Sequence, residues 1–220
     1  MHKMLTILCA AALVLAVAMP TAYATGLRAG AAYWDAGDFS DTIDDSLLGA
    51  EIVLALDIAT PVGLELRAAA LGTWDDGKRF SPNGSRYEYD FTGGVVPLEA
   101  GLSMEIPAGI LTLYGSVGIG WYWFYAENDI DVRHGSNHAD WRSDDNWDEN
   151  DNTFGAYGSA GLRISLLPTL SLYGQAQYRH MFDKIELDLG DPLANAYYKK
   201  GYSELDASGL AISAGISIDF

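Results

Sequence analysis

The last eleven residues alternate without a break. Leu210, Ile212, Ala214, Ile216, Ile218 and Phe220 fall on one face, and Ala211, Ser213, Gly215, Ser217 and Asp219 on the other. A period of two is that of a strand with one apolar and one polar face. The alternation runs to an aromatic residue with no polar tail behind it. A soluble edge strand built this way would recruit other strands, whereas a strand that closes a barrel in a membrane has no free edge. This one stretch therefore asks for a closed sheet with its apolar side in lipid.

Seven further stretches repeat the pattern, at 27–34, 48–58, 62–74, 91–106, 110–125, 153–166 and 170–182. In 48–58 the apolar set is Leu48, Ala50, Ile52, Leu54, Leu56 and Ile58, against Glu51, Val53, Ala55 and Asp57. In 110–125 it is Leu111, Leu113, Val117, Ile119, Trp121, Trp123 and Tyr125, against Thr112, Tyr114, Ser116, Gly118 and Gly120. Pro97 falls inside the fourth strand, where it lacks a ladder donor, so a bulge is expected there.

The connections alternate in length. Residues 35–47, 75–90, 126–152 and 183–206 read as long polar loops, and 59–61, 107–109 and 167–169 as short turns. An even strand count with long and short connections in alternation is the layout of an outer-membrane barrel, long loops outside and short turns in the periplasm. The fold class expected is thus all-β: an eight-stranded antiparallel up-and-down transmembrane barrel with four long extracellular loops and three periplasmic turns.

Height gives a second check. Ten residues up from the short turns lead from Leu111 to Trp121, from Leu64 to Trp74 and from Leu172 to Phe182. At a tilt of about 40° ten strand residues rise roughly 25 Å, the height of a lipid-facing band. Trp74, Trp121, Trp123, Tyr125, Phe154, Tyr178 and Phe182 are accordingly expected to form the outer aromatic girdle.

A lipocalin-like barrel would turn the same apolar face inward. Its outer face would then carry many charges. Here the polar face is mostly Gly, Ala, Ser and Tyr, and no Lys, Arg, Asp or Glu interrupts the apolar face of the strands from residue 48 onward. The apolar face is outside.

The chain resembles the small eight-stranded outer-membrane barrels, the group containing the OmpA barrel and OmpX. The resemblance is architectural over residues 25–220. In motif it rests on Ser213-x-Gly215-x-x-Ile218-x-Phe220, which is similar to the C-terminal signal read by the barrel-assembly machinery. It implies an outer-membrane location, with Gly215, Ile218 and Phe220 as the assembly signal.

The N-terminus fits that route. Met1-His2-Lys3 is basic, residues 4–19 are nearly all apolar, and Ala22-Tyr23-Ala24 is a small-x-small cleavage site. Residues 1–24 read as a cleaved signal peptide and 25–220 as the barrel domain. The single cysteine, Cys9, lies in the leader, so the barrel is expected without disulfides or thiolate ligands. The formal net charge of −17 carries no basic stripe, which argues against nucleic acid. Expected partners are outer-membrane lipid and lipopolysaccharide, the assembly machinery and an unidentified extracellular ligand, with the barrel a monomer.

Inward parity places Arg28, Arg67, Arg163 and Arg179 in the lumen with Glu51, Asp57, Glu65, Glu99, Glu105 and Asp219. Buried charges need partners, so a network of ion pairs is expected to fill a lumen just wide enough for side chains. Arg28 and Asp219 sit at the same end of neighbouring strands and are expected to meet. Carboxylates outnumber arginines, so at least one Glu is expected to be protonated or hydrated.

Chemistry is sparse. A lipid A deacylase would set a Ser two residues after a lipid-facing His, but His180 is followed by Phe182. The omptin proteases need an Asp–His couple at the mouth of a wider barrel. His134 and His138 lie in an acidic stretch without such a frame. Asp144, Asn146, Asp148, Asn150 and Asn152 place oxygens at alternate positions, resembling an EF-hand loop but with Glu149 where its glycine belongs. A weak divalent site at Asp144, Asn146 and Asp148 is the only cofactor expectation. Trp141 and Trp147 in the same stretch suggest a contact surface. The reading is a non-enzymatic barrel presenting acidic surface loops, envelope-structural or adhesive. A lipid A-modifying enzyme and a narrow solute channel stand as alternatives.

Overall fold

The computed structural model describes residues 24–39, 46–59, 61–80, 86–133, 141–186 and 204–220. Residues 1–23, which make up all but the last residue of the expected leader, and His134 and His138 lie outside them. Eight strands follow in order: β1 (Ala24–Asp35), β2 (Leu47–Ala59), β3 (Val62–Phe80), β4 (Arg86–Ala108), β5 (Leu111–Arg133), β6 (Trp141–Leu167), β7 (Leu170–Met181) and β8 (Gly209–Asp219). Each pairs antiparallel with the next, and β8 returns to β1, so the barrel is closed.

The alternation sorts side chains as a membrane barrel requires. Val117, Ile119, Leu102, Leu113 and Ile212 face outward and are exposed, while Arg28, Glu65, Arg67, Glu99 and Gln177 face inward and are buried. Closure is tight where β8 meets β1, with Gly215 opposite Gly30. A Cβ at Gly215 would run into the Ala29 carbonyl. Ile218 lies outward opposite Leu27 and Leu170, and Phe220 follows the end of β8. At the short-turn end, Gly109 adopts φ 73° between β4 and β5.

Two features depart from the sequence reading. First, 75–80, 86–90, 126–133 and 141–152, expected as parts of loops, are strand. β3 and β4 stay paired up to Phe80↔Tyr87, and β5 and β6 up to Arg133↔Trp141. These stretches are polar on both faces, so they carry no apolar alternation. Their strand form follows from continued pairing to a neighbouring ladder. Asp144, Asn146 and Asp148 thus belong to β6, where Asn146 faces Asp129 and Asp148 faces Glu127. Asp144 falls at a bulge, between Ile130↔Asp145 and Asp131↔Ser143. An EF-hand wraps one ion with a compact loop. A spacing of two on a strand spreads its oxygens along an extended chain instead.

Second, Pro97 makes no bulge. The β3–β4 register is the same at Ala68↔Leu98 and at Leu71↔Val95, with the pairing interrupted between them. Toward β5, Pro97 stands opposite Tyr122 in unbroken register. A missing N–H opens a ladder without inserting a residue.

Candidate functional site: a lumen closed in two layers

Starting at the short-turn end, which faces the periplasm in such barrels, the lumen begins wet. Arg163 on β6 donates to Glu105 (2.8 Å) and to Asp219 (3.0 Å). The three side chains are 15%, 37% and 33% exposed. Asp57 is exposed at the same end. Arg28 and Asp219 do not meet. Asp219 stands opposite Gly26 while Arg28 stands opposite Ser217, so the stagger of the closing strands sets the two apart.

Above this mouth the side chains are buried. Arg28 pairs with Glu65, and its guanidinium carbon lies 4.5 Å from the centre of the Tyr114 ring. Arg67 on β3 is the hub. It reaches Glu65 at 2.5 Å, Glu51 at 3.4 Å and Glu99 at 3.5 Å, and donates to Gln175 (3.1 Å) and Gln177. Arg179 donates to Glu99 at 2.8 Å and lies over the Trp34 ring. Tyr122, Gln177, Tyr173 and Ser116 complete the carboxylates, donating to Glu99 (2.8 Å), Glu99 (2.8 Å), Glu51 (3.1 Å) and Glu65 (3.1 Å). Every carboxylate oxygen of Glu51, Glu65 and Glu99 has a donor.

The expected surplus of carboxylates is therefore sorted by depth. In the buried layer Arg28, Arg67 and Arg179 balance Glu51, Glu65 and Glu99, and the extra carboxylates Glu105, Asp219 and Asp57 sit at the exposed mouth. Surplus charge thus lies where water screens it. The polar groups left without protein partners in the buried region are N–H and O–H groups, among them Arg28 Nη1, Trp34 Nε1 and Arg179 Nη1. No protonated or hydrated Glu is needed to balance this layer.

A second, apolar layer lies toward the cell surface. Trp34, Phe39, Leu47, Leu71, Val95, Phe124 and Met181 fill the lumen there, joined by Ile185 and Leu205 from beyond the strands. Trp34 packs at 5.9 Å from Tyr122 and 6.0 Å from Phe124, and Phe39 meets Phe124 edge-on at 5.3 Å. Sequence reasoning missed this stopper. Its signal was present: near the end of β1 and midway along β3, β4 and β5 the inward positions Trp34, Leu71, Val95 and Phe124 turn apolar while the outward ones stay apolar. Loss of alternation toward both faces being apolar marks a filled interior.

The stopper is tied down from outside. Asp38 N–H donates to the Asp206 carbonyl (2.8 Å), and Ile185 and Leu205 exchange both backbone bonds. Gly37 makes the approach feasible: its φ is 54°, and a Cβ would lie 2.6 Å from the Ser208 carbonyl oxygen. Beside it, Ser208 Oγ lies 3.5 Å from His180 Nδ1 and accepts the Met181 N–H at 3.0 Å. Asp206 accepts the Ser208 N–H at 2.8 Å. The chain separation of 28 residues hid the Ser208–His180 contact from a search for a serine close after the histidine.

On the exterior, Trp121 is paired with Phe154 and donates from its indole N–H to Asn152 (3.1 Å). Trp123 and Tyr125 lie 6.1 Å apart, Phe182 stacks edge-on with His180, and Phe154, Tyr178 and Phe182 are exposed. Trp74 is on β3 opposite Thr92. Among the described residues, no three or more His, Cys, Asp or Glu are grouped to hold a metal ion.

A closed antiparallel barrel with an aliphatic exterior and a charged, filled interior is a transmembrane barrel of the outer-membrane type. Comparison with known proteins agrees. The chain belongs to the outer membrane protein beta-barrel domain family, whose model matches residues 6–220. Its fold is similar to that of the outer membrane protein OprG from Pseudomonas aeruginosa, with TM-score 0.52 and 16% identity over 90% of this chain and 97% of that one. It is also similar to a major outer membrane protein from Thermus thermophilus, with TM-score 0.56 and 15% identity over 90% and 100% of the two chains. At such identities the likeness is one of fold. No curated protein matches the sequence. The protein is a bacterial outer-membrane barrel.

Proposed function

We propose that this barrel is a non-enzymatic surface protein that presents an acidic rim, in an adhesive or envelope-structural role. The observation that carries the reading is the unequal height of the wall. β1, β7 and β8 have 12, 12 and 11 residues, close to the roughly 9–11 that cross a bilayer. β4, β5 and β6 have 23, 23 and 27. The excess of β3 to β6 rises beyond the girdle as paired sheet and includes Asp129, Asp131, Asp144, Asp145, Asp148 and Glu149. Such a rim repels the anionic outer leaflet and attracts a cationic partner. Divalent cations shared along this rim would offset that repulsion and bridge it to lipopolysaccharide.

The test is adhesion. Cells displaying the protein should hold to polylysine-coated surfaces several-fold better than cells displaying Asp144→Asn, Asp145→Asn, Asp148→Asn and Glu149→Gln together. Equal adhesion rejects the acidic rim as the contact surface.

The Ser208–His180 contact favours a second reading, an enzyme acting on lipid esters at the outer leaflet. Against it, the Asp206 carboxylate accepts the Ser208 backbone N–H rather than orienting the imidazole. Mass spectrometry of lipid A from expressing cells decides: an acyl change lost in Ser208→Ala would displace the adhesive reading. The channel alternative is opposed by the apolar stopper.

A further inference from the structure

At the lower edge of the charge network, three side chains with an unpartnered donor atom stand in one row. Ser171 on β7 is opposite Ser217 on β8, and Ser217 is opposite Arg28 on β1. All three face the lumen and are at most 3% exposed. Ser171 Oγ, Ser217 Oγ and Arg28 Nη1 have no hydrogen-bond partner, whereas the other terminal nitrogen of Arg28 is engaged by Glu65. Adjacent strands are about 4.8 Å apart, which sets the two hydroxyls side by side with Arg28 on the next strand.

The surroundings select the ligand. Glu65 and Asp219 flank the row above and below, which disfavours an anion, and the Arg28 guanidinium disfavours a cation. What remains is a neutral molecule that accepts from a guanidinium and exchanges hydrogen bonds with two hydroxyls. Water does this, typically with about three bonds to buried polar groups.

Exposure near the row is one-sided. Two residues along β8 on the same face, Asp219 is 33% exposed at the periplasmic mouth, its carboxylate lying over Gly26 on the opposite strand. Toward the surface, Trp34, Leu71 and Phe124 are fully buried in the stopper.

We propose that the row of Ser171, Ser217 and Arg28 is a water-binding site filled only through the periplasmic mouth. The barrel is then a well, open below and sealed above.

Silver ion, close to water in size, tests the route: the site does not hold a cation of itself, but an introduced thiol traps one by exchanging its proton for a silver–sulfur bond. Single variants Ser217→Cys and Ala211→Cys are made in the full chain carrying Cys9→Ser and reconstituted in vesicles of one orientation. In chloride-free buffer, silver nitrate at the periplasmic face should block later maleimide labelling of the unfolded Ser217→Cys protein at least tenfold faster than silver at the surface face. Ala211→Cys, buried in the stopper, should react slowly from both. Equal rates from both faces at Ser217→Cys, faster reaction from the surface, or none from either, would overturn the proposal. Should Ser217→Cys not fold, water-to-amide cross-relaxation at Ser171 and Ser217 of the unaltered barrel in micelles is the measurement. Long-lived water contacts are expected at both amides, and their absence overturns the site.

Discussion

In the periplasmic half of the lumen, closure depends on Arg67 and the carboxylates around it; in the surface half, it depends on Trp34, Phe124 and Leu71. The two layers have opposite sensitivities. A charge network in a dry interior is stable only while complete, because removing one member strands its partners in low dielectric. An apolar layer loses stability in proportion to the volume removed and tolerates a change of shape. Charge balance in the lower layer thus specifies partners, and bulk in the upper layer excludes water.

The largest effect is expected at the hub. Arg67→Met leaves Glu51, Glu65 and Glu99 with one cation fewer at each contact. It should cost about 3–5 kcal/mol in urea unfolding from lipid vesicles. A loss under about 1 kcal/mol would mean that the network is hydrated rather than dry.

The stopper should respond more moderately. Leu71→Ala removes a fully buried side chain and should cost about 2–4 kcal/mol, with a penalty that is independent of pH. A cost that varied strongly with pH would erase the distinction between the layers.

Conductance separates them by function. The intact barrel should show no stable open level in a planar bilayer. Trp34→Ala with Phe124→Ala opens the upper layer only, so current should remain low until Arg67 is also replaced. A stable, large conductance from the aromatic pair alone would make the stopper the sole seal.

What could be read from the sequence follows the same division. Strand count, order and sidedness were legible because lipid imposes an apolar residue at every second position. The upper parts of β3 to β6 were not, since 75–80, 86–90, 126–133 and 141–152 carry no apolar alternation in sequence and are read as strand only from their pairing. Inward parity named the arginines and carboxylates, but partners depend on stagger. Thus Arg28 engages Glu65, and Asp219 engages Arg163. The glutamines, tyrosines and Ser116 that complete the carboxylates have no pattern of their own. Phe39 lies beyond β1 and enters the stopper through the turn at Gly37, a tertiary contact with no local period.

The smallest expected effect is at the mouth, where the surface layer is tied down. Hydrogen bonding from Ser208 holds the Asp206 carboxyl below the ordinary carboxylate range, with His180 and Lys184 adding to the shift. A folded-state value depressed in this way contributes stability at pH above the unfolded value, and that contribution is lost as pH falls through the folded one. Asp206 is exposed, so solvent keeps the contribution small. NMR titration should therefore place Asp206 below free aspartate and show Ser208→Ala moving it upward. Amide exchange at Asp38, which bonds the Asp206 carbonyl, should quicken below the Asp206 midpoint while the Leu71 amide stays protected. If both amides quicken together on acidification, the mouth and the stopper are one cooperative unit, and the surface half of the lumen opens with its clamp.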